Sequence, residues 1–415
     1  MKEQNGKKVF IIGSSANEYT LAKKMTEMEE VAEVFVAPGN SAMSEFCTVV
    51  DIRENNVKEL LEFALENAID LTVASSELAI KNDITRLFNQ NNQMIFAPTQ
   101  ASASICISKS VGKKFMYKTR IPCPKFAIFD KPNLAIDYAK NSNMPIVIKT
   151  DEHQDKGVLI CNAFSIAKAF IEDLFDRGEK KVIIEDYVLG HEFSFYVVTD
   201  GYHALPLGSI ANYKYELEGN GGLTTPGMGS YTPDYRITKQ IEKRILQQII
   251  YPTLNTLARQ QTPYVGILGI DLIMNDAEQL YAIEFNSFLQ APDCQGILAL
   301  LNENIYQLFQ ACVVGSFADD YEQLDISDRY AASCVLLSKK KEAIINGLDD
   351  LDDETQIAHF NTIKNTYLEY ETQLGRTLAI TRTARVLSKA LKDLYEEISI
   401  IDFDGMKYRK DIGRN

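Results

Sequence analysis

The sequence predicts an α/β protein that opens on a parallel sheet with helices on both faces and continues into α+β modules. Short apolar runs at 7–13, 33–39 and 69–75 alternate with stretches of helical period at 18–28, 55–67 and 78–90, and a last short run follows at 94–97. The runs close on Gly, Pro or Ser, residues that turn a strand into the next element. Alternation of this kind gives a parallel sheet covered on both faces. Ligands of such sheets bind beyond the carboxyl ends of the strands, here 13–17, 37–40 and 75–77. Gly13-Ser14-Ser15-Ala16 lacks the later glycines of a dinucleotide fingerprint and reads as an ordinary strand-to-helix turn.

From residue 109 the texture changes. A basic helix runs into a Pro-containing turn, and helices at 133–141 and 164–176 are interleaved with strands at 145–149, 157–160 and 181–188. Residues 196–325 read as a second sheet-rich block. It holds FSFYVVTDG as it enters, a Gly-rich loop at 219–229, and the strand pair 266–274 and 280–285. Strands near 331–337 and 377–380 and a helix at 385–397 make a small closing unit, with the acidic run 348–354 as a solvated loop. The expected domains are therefore 1–108, 109–195, 196–325 and 326–415.

Bulk composition narrows the function classes. Hydrophobic residues at 46% and charged residues at 24% are those of a globular protein, not a disordered one. Lys and Arg number 43 against 57 Asp and Glu, a net charge of −14 that disfavours nucleic acid and anionic membranes as partners. Seven scattered cysteines with no C-x-x-C pair suit reduced thiols, and four histidines argue against a His-rich metal site. No stretch approaches the ~20 apolar residues of a membrane span, and the start carries no signal-like segment. A cytoplasmic protein, monomer or homodimer, is the expectation.

The chemistry concentrates in a few residues. Glu284 and Asn286 stand two apart at a strand end and so project from one face. Asp271 lies in the apolar strand LGIDLIM, where a carboxylate is costly without a partner. Together the three oxygen donors, on neighbouring strands, favour a magnesium pair over isolated hydrogen-bonded carboxylates. Lys109 opens a helix, Lys149 ends the strand PIVIK and Lys156 precedes Gly157 in a loop. A single lysine at a strand end ordinarily snorkels to solvent. Three converging on one cleft would instead serve as point charges for a polyphosphate. The stretch 185–189 offers a hinge whose backbone could pair with an adenine edge, and Glu192 follows, able to accept bonds from ribose hydroxyls.

Taken in order, Lys109, PIVIKTD, KGV, EDYVLGHEFS, GILGIDLIM and IEFN resemble the ATP-grasp ligases. VFVAPGN (34–40), FAPTQASA (96–103), GLTTPGMGSYTP (222–233), YPTL (251–254) and YRKDIG (408–413) extend the resemblance, nearly end to end, to the phosphoribosylamine–glycine ligase family. The resemblance implies a Rossmann-like amino-terminal domain, a two-subdomain ATP-grasp core and a small α+β capping domain. It implies ATP and Mg2+ as cofactors, with Mn2+ as an alternative ion, and a small-molecule carboxylate and amine as substrates. Lys109, Lys149 and Lys156 would contact ATP phosphates, and Lys214 the transferred phosphoryl group. Glu185 with the backbone of Asp186, Tyr187 and Val188 would hold adenine, and Glu192 the ribose. Glu284 and Asn286 would bind the metal; Asp271 matches ATP-grasp enzymes generally, where the nearest family resembles a glycine. Gly227, Met228 and Gly229 would border the substrate. The implied reaction forms an acyl phosphate and then an amide.

Departures from the family's pattern gather on the acceptor side. Asn17 and Tyr19 stand in a first turn that in the family carries an arginine and a histidine, and Ser75-Ser76-Glu77 replaces Gly-Pro-Glu. After IEFN the family's arginine becomes Phe288, and its FGDPET-like run becomes 289–294, including Asp293. A phenyl ring cannot take over a guanidinium's grip on an anion. The phosphate flap, glycine-rich in the family, is shorter and more acidic at 151–155. Asn40 and, at the carboxyl end, Arg385, Lys410 and Asp411 complete the set of candidate substrate contacts. Three readings stay open on these residues: a ligase with altered substrates, a phosphoribosylamine–glycine ligase with drifted motifs, and a non-catalytic ATP-binding paralogue.

Overall fold

The computed structural model describes residues 6–152 and 157–414. Five parallel strands form the amino-terminal sheet: β1 (Lys7–Gly13), β2 (Val31–Pro38), β3 (Thr48–Val49), β4 (Leu71–Ala74) and β5 (Ile95–Phe96). Their order is β3-β2-β1-β4-β5. Strands β1 and β4 are buried almost throughout because both faces are covered, which is why they read as unbroken apolar runs. On one face Phe10, Ile12, Leu60 and Phe88 pack together. On the other, Val9 and Ile11 join helix Ala16–Thr26 and a helix from much later in the chain, Ile305–Val314. Phe309 of that helix stacks on Phe96 with ring centroids 4.1 Å apart. The stretch expected as one helix over 78–90 is two, Glu77–Lys81 and Ile84–Gln90. Asp83 takes a left-handed φ of 64° between them, a geometry that ends a helix.

Four antiparallel strands make the second sheet: β6 (Phe126–Phe129), β7 (Ile146–Thr150), β8 (Val158–Cys161) and β9 (Val182–Asp186), ordered β6-β9-β7-β8. Helices Pro132–Lys140 and Phe164–Asp176 cover it through Ala135, Ala139, Ala167 and Ile171.

The third sheet is larger than the sequence pattern indicates. It contains β10 (His191–Asp200), β11 (Ala204–Leu217), β12 (Gly221–Thr232), β13 (Val265–Met274), β14 (Leu280–Ser287), β15 (Tyr330–Ser338) and β16 (Gln356–His359). A small hairpin, β17 (Thr362–Lys364) with β18 (Tyr370–Thr372), lies apart; β19 (Gly375–Ala384) and β20 (Met406–Lys407) return to the sheet. The order β14-β13-β10-β11-β12-β15-β19-β16 puts the strands of the last segment into the same sheet as those before it, through pairing of β12 with β15. The Gly-rich stretch expected as a loop at 219–229 is mostly β12, paired with β11 from Ala211↔Tyr231 to Leu217↔Gly221. Its glycines hid the strand, yet they permit close approach: a Cβ on Gly229 would come within 2.0 Å of Ile412 Cδ1. All seven cysteines are free thiols. Among the described residues no helix is long and apolar enough to cross a membrane.

Candidate active site

The floor of the site is the edge of the third sheet formed by β10, β13 and β14. Antiparallel register sets Asp271 directly opposite Glu284, and Ser194 opposite Asp271. Directly paired residues share a face, and Asn286, two on from Glu284, shares it too. Each acid is met by a lysine from a different element. Lys109, at the start of helix Lys109–Thr119, lies 2.5 Å from Glu284 Oε2. Lys214 of β11 lies 2.5 Å from Asp271 Oδ2. The first turn of the lysine helix is held by Asp151, whose Oδ1 accepts from Ser108 Oγ and Ser110 N at 2.8 Å each. Asp151 is thereby fixed as a helix cap and held below the ordinary carboxylate range, against the opposing effect of its partial burial.

A second charge cluster lies on the side of the small sheet. Glu185 of β9 is 2% exposed and faces two lysines, Lys113 at 3.1 Å and Lys149 at 3.3 Å. Burial pulls Lys113 down from its ordinary value, and the neighbouring Lys149 adds to this. Burial pulls Lys149 the same way, but Glu185, Glu284 and Glu192 together outweigh it and hold this lysine above its ordinary value. Burial likewise opposes Lys214, which Asp271, Glu284 and Glu192 keep well above the ordinary lysine range. Lys149 and Lys214 thus feel the same two carboxylates, Glu284 and Glu192. Glu192 is exposed, as are Asp186 and Tyr187 in the connection from β9 to β10, with Val188 half-buried beside them. Lys156 and residues 153–155 lie outside the described residues.

Lys113 escaped the sequence reading, although a signal existed. It stands four residues after Lys109, on the same face of one helix, where a second lysine aimed at the same cleft falls naturally. Also unread were the partners of Asp293. Its carboxylate is 5% exposed and receives Asn212 Nδ2 at 2.9 and 2.8 Å and Tyr196 Oη at 3.1 Å. Ser194 Oγ bridges Asn212 Oδ1 and Asp271, so a continuous polar chain links Lys214 to Asp293. Burial raises the Asp293 carboxyl to about 6, with Asp271 adding to the rise while Lys214 and its two hydrogen-bond donors oppose it.

The remaining candidates fall into distinct settings. Gly227 has φ 139°, and a Cβ there would meet Pro292 Cδ at 2.7 Å, so this glycine lets β12 close on the loop that carries Asp293. Met228 is buried and Gly229 packs on the carboxyl-terminal Ile412. Phe288, at φ 69°, is 1% exposed within the apolar cluster that includes Leu289, Ile297 and Val198. From the last segment Arg376 reaches the same loop, with Nη1 3.0 Å from Ala291 O and Cζ over the Phe360 ring at 4.5 Å. Asn17 opens the first helix and donates to Glu18 Oε1 at 2.7 Å. Asn40 donates to Ser14 O and His359 O, tying the first turn to the last segment. Glu77 begins its helix and pairs with Lys81 at 2.8 Å. Arg385 is exposed just past β19, at the opposite end of that strand from Arg376. Asp411 is held by the fully buried Arg409, and Lys410 lies over the Tyr408 ring, exposed.

A sheet-borne pair of acids facing lysines across a cleft between two β-modules defines an ATP-grasp ligase, an enzyme that forms a C–N bond with release of ADP and phosphate. Comparison with known proteins gives the particular family. Residues 107–294 match the ATP-grasp (A) domain of phosphoribosylglycinamide synthetase, 7–106 its N domain and 337–415 its C domain. The chain belongs to the phosphoribosylglycinamide synthetase family. It is 32% identical to phosphoribosylamine–glycine ligase of Clostridium acetobutylicum, over 98% of this chain and 100% of that one. The enzyme of the same name from Neisseria meningitidis serogroup B is also 32% identical, over 98% of each. The crystal structure of phosphoribosylamine–glycine ligase from Thermotoga maritima superposes with a TM-score of 0.84 at 24% identity, covering 98% of this chain and 100% of that one. The biotin carboxylase domain of Hydrogenobacter thermophilus 2-oxoglutarate carboxylase shares the fold, with a TM-score of 0.73 at 15% identity and coverage of 98% and 92%.

Proposed function

We propose that this protein is an ATP- and magnesium-dependent carboxylate–amine ligase that works through an acyl phosphate, with substrates altered from phosphoribosylamine and glycine. The observation that supports it most is a contrast within one site. The acid pair Asp271–Glu284 stands with Lys109, Lys149 and Lys214 around it, while Phe288 is buried in an apolar cluster where the family resemblance places an arginine.

Asp271, Glu284 and Asn286 offer hard oxygen donors on one sheet face, a donor set suited to Mg2+, with Mn2+ able to replace it. When held by these donors, the ion would supply positive charge that offsets the negative charge of the nucleotide phosphates. Lys109 and Lys214 pair with the same acids, and their ammonium groups would turn to phosphate oxygens when nucleotide enters. Lys149 is held protonated by its three carboxylate neighbours, and so is a fixed cation. The connection with exposed Asp186 and Tyr187 and half-buried Val188 would present backbone to an adenine edge, and the exposed Glu192 would offer its carboxylate to ribose hydroxyls. In the first step a substrate carboxylate oxygen bonds to the γ-phosphorus, and the bond to ADP breaks. In the second, the amine nitrogen bonds to the acyl carbon, phosphate leaves and the amine's proton is lost.

Magnesium-ATP at a hundred times its Kd is expected to stabilise the protein by about 2.7 kcal/mol in a thermal unfolding assay. The same nucleotide without magnesium should give a clearly smaller shift. Equal melting with and without magnesium-ATP would contradict the reading.

A further inference from the structure

A cavity of about 550 Å³ opens beyond the carboxyl end of β1, lined by Ser14, Ser15, Pro38, Gly39, Asn40 and Ser41 on one side and residues 360–363 on the other. It adjoins the Asp293 loop. Gln295 donates to Ala16 O at 2.8 Å, and Arg376 bridges Ala291 and Phe360, a lining residue. Strand ends and a helix start of this kind ordinarily receive anions. This one is built otherwise. The Glu18 carboxylate already takes Ser15 N at 2.8 Å, Asn17 Nδ2 at 2.7 Å and Ser75 Oγ. Glu54 sits directly behind the wall, in contact with Ser76 Oγ and 3.4 Å from Ser14 Oγ. No lysine or arginine is among the lining residues. Lys364, next in sequence to a lining residue, is paired with Glu45 at 2.6 Å, and Arg376 donates to Ala291 O. The lining itself is hydroxyls, amides and backbone.

From this cavity we infer that the amine co-substrate is an unphosphorylated, hydroxyl-bearing amine, taken with its polar groups against Ser14, Ser15, Asn40 and Thr362. The inference rests on the ligase reading above and specifies its acceptor. A phosphate ester here would find no lining cation to match its charge, and Glu54 behind the wall would oppose it. Hydroxyls find matched donors and acceptors in the lining.

The test is calorimetric titration of the full chain, with magnesium-ADP present, with D-glucamine and with D-ribose 5-phosphate as probes. Glucamine is expected to bind, with ribose 5-phosphate at least roughly tenfold weaker. Glu54→Gln is expected to weaken glucamine about tenfold. Ser14→Lys, which places a cation in the wall, should reverse the order of the two probes. Ribose 5-phosphate binding as tightly as glucamine, or no binding of glucamine, overturns the inference. If that happens while magnesium-ATP still stabilises the protein, only the acceptor assignment fails. If the nucleotide effect is missing as well, the ligase reading falls with it.

Discussion

Glu284→Gln is expected to lower the rate of ADP release by roughly two to three orders of magnitude, the effect of removing one well-placed charge-stabilising group from a site that excludes water. Glu284 faces Asp271 across β13 and β14 and pairs with Lys109. In the proposed mechanism its charge would serve the metal on one side and orient Lys109 toward phosphate on the other. The amide keeps the shape and one oxygen donor but loses the charge that a hard divalent ion requires. The loss should appear mainly as reduced turnover together with a higher magnesium requirement. Asn286, a neutral donor on the same face, gives the comparison: Asn286→Ala should cost less than Glu284→Gln in magnesium affinity. A Glu284→Gln enzyme with unchanged magnesium dependence would remove this residue from the metal site. Urea unfolding of the variant separates the two roles, since an unpaired Lys109 at 7% exposure lowers stability without touching magnesium dependence.

Glu185→Gln should be the most destabilising substitution in the cleft, costing about 3–5 kcal/mol in urea unfolding. The carboxylate is shared by Lys113 and Lys149, and all three groups are almost fully buried. Lys113 Nζ and Glu185 Oε1 are 3.1 Å apart, an ion pair shut away from water. Removal of the acid leaves two buried ammonium groups facing each other. Lys113, already pulled down by burial, is the one that gives up its proton. For this reason the double substitution Glu185→Gln with Lys113→Met should recover more than half of the loss. A cost below about 1 kcal/mol for the single change would mean that solvent reaches the triad and that it is not a buried charge cluster.

Much of this was legible in the sequence wherever one period dominated. The runs at 7–13, 266–274 and 280–285 are strands within a residue or two, and in the first two burial on both faces makes them almost continuously apolar. Glu284, Asn286 and Asp271 were readable as a group because two neighbouring strands carry acids where an apolar residue is the rule. The Gly-rich stretch was misread because glycine and threonine carry no periodicity of their own. Pairing with β11 and β15 makes it a strand, and both partnerships are contacts across the sheet that local pattern cannot show. The same holds for the last segment, whose strands join a sheet begun well over a hundred residues earlier. Asp293 gave no sign of its role in the chain from Lys214. Its partners Tyr196 and Asn212 are brought to it only by folding, from positions 97 and 81 residues away. The burial of Phe288 was foreseeable as chemistry but not as place. A phenyl ring where an arginine is expected signals a changed site, while its entry into the apolar cluster is a packing outcome.

The most direct test of the account is ADP release by the purified protein with magnesium-ATP and phosphoribosylamine generated in place, with glycine present or omitted. The altered acceptor side predicts no glycine-dependent turnover, although magnesium-ATP binds. Turnover that requires both glycine and phosphoribosylamine would contradict it, and would show that the buried Phe288 and the cation-free cavity are compatible with the reaction for which the relatives are named.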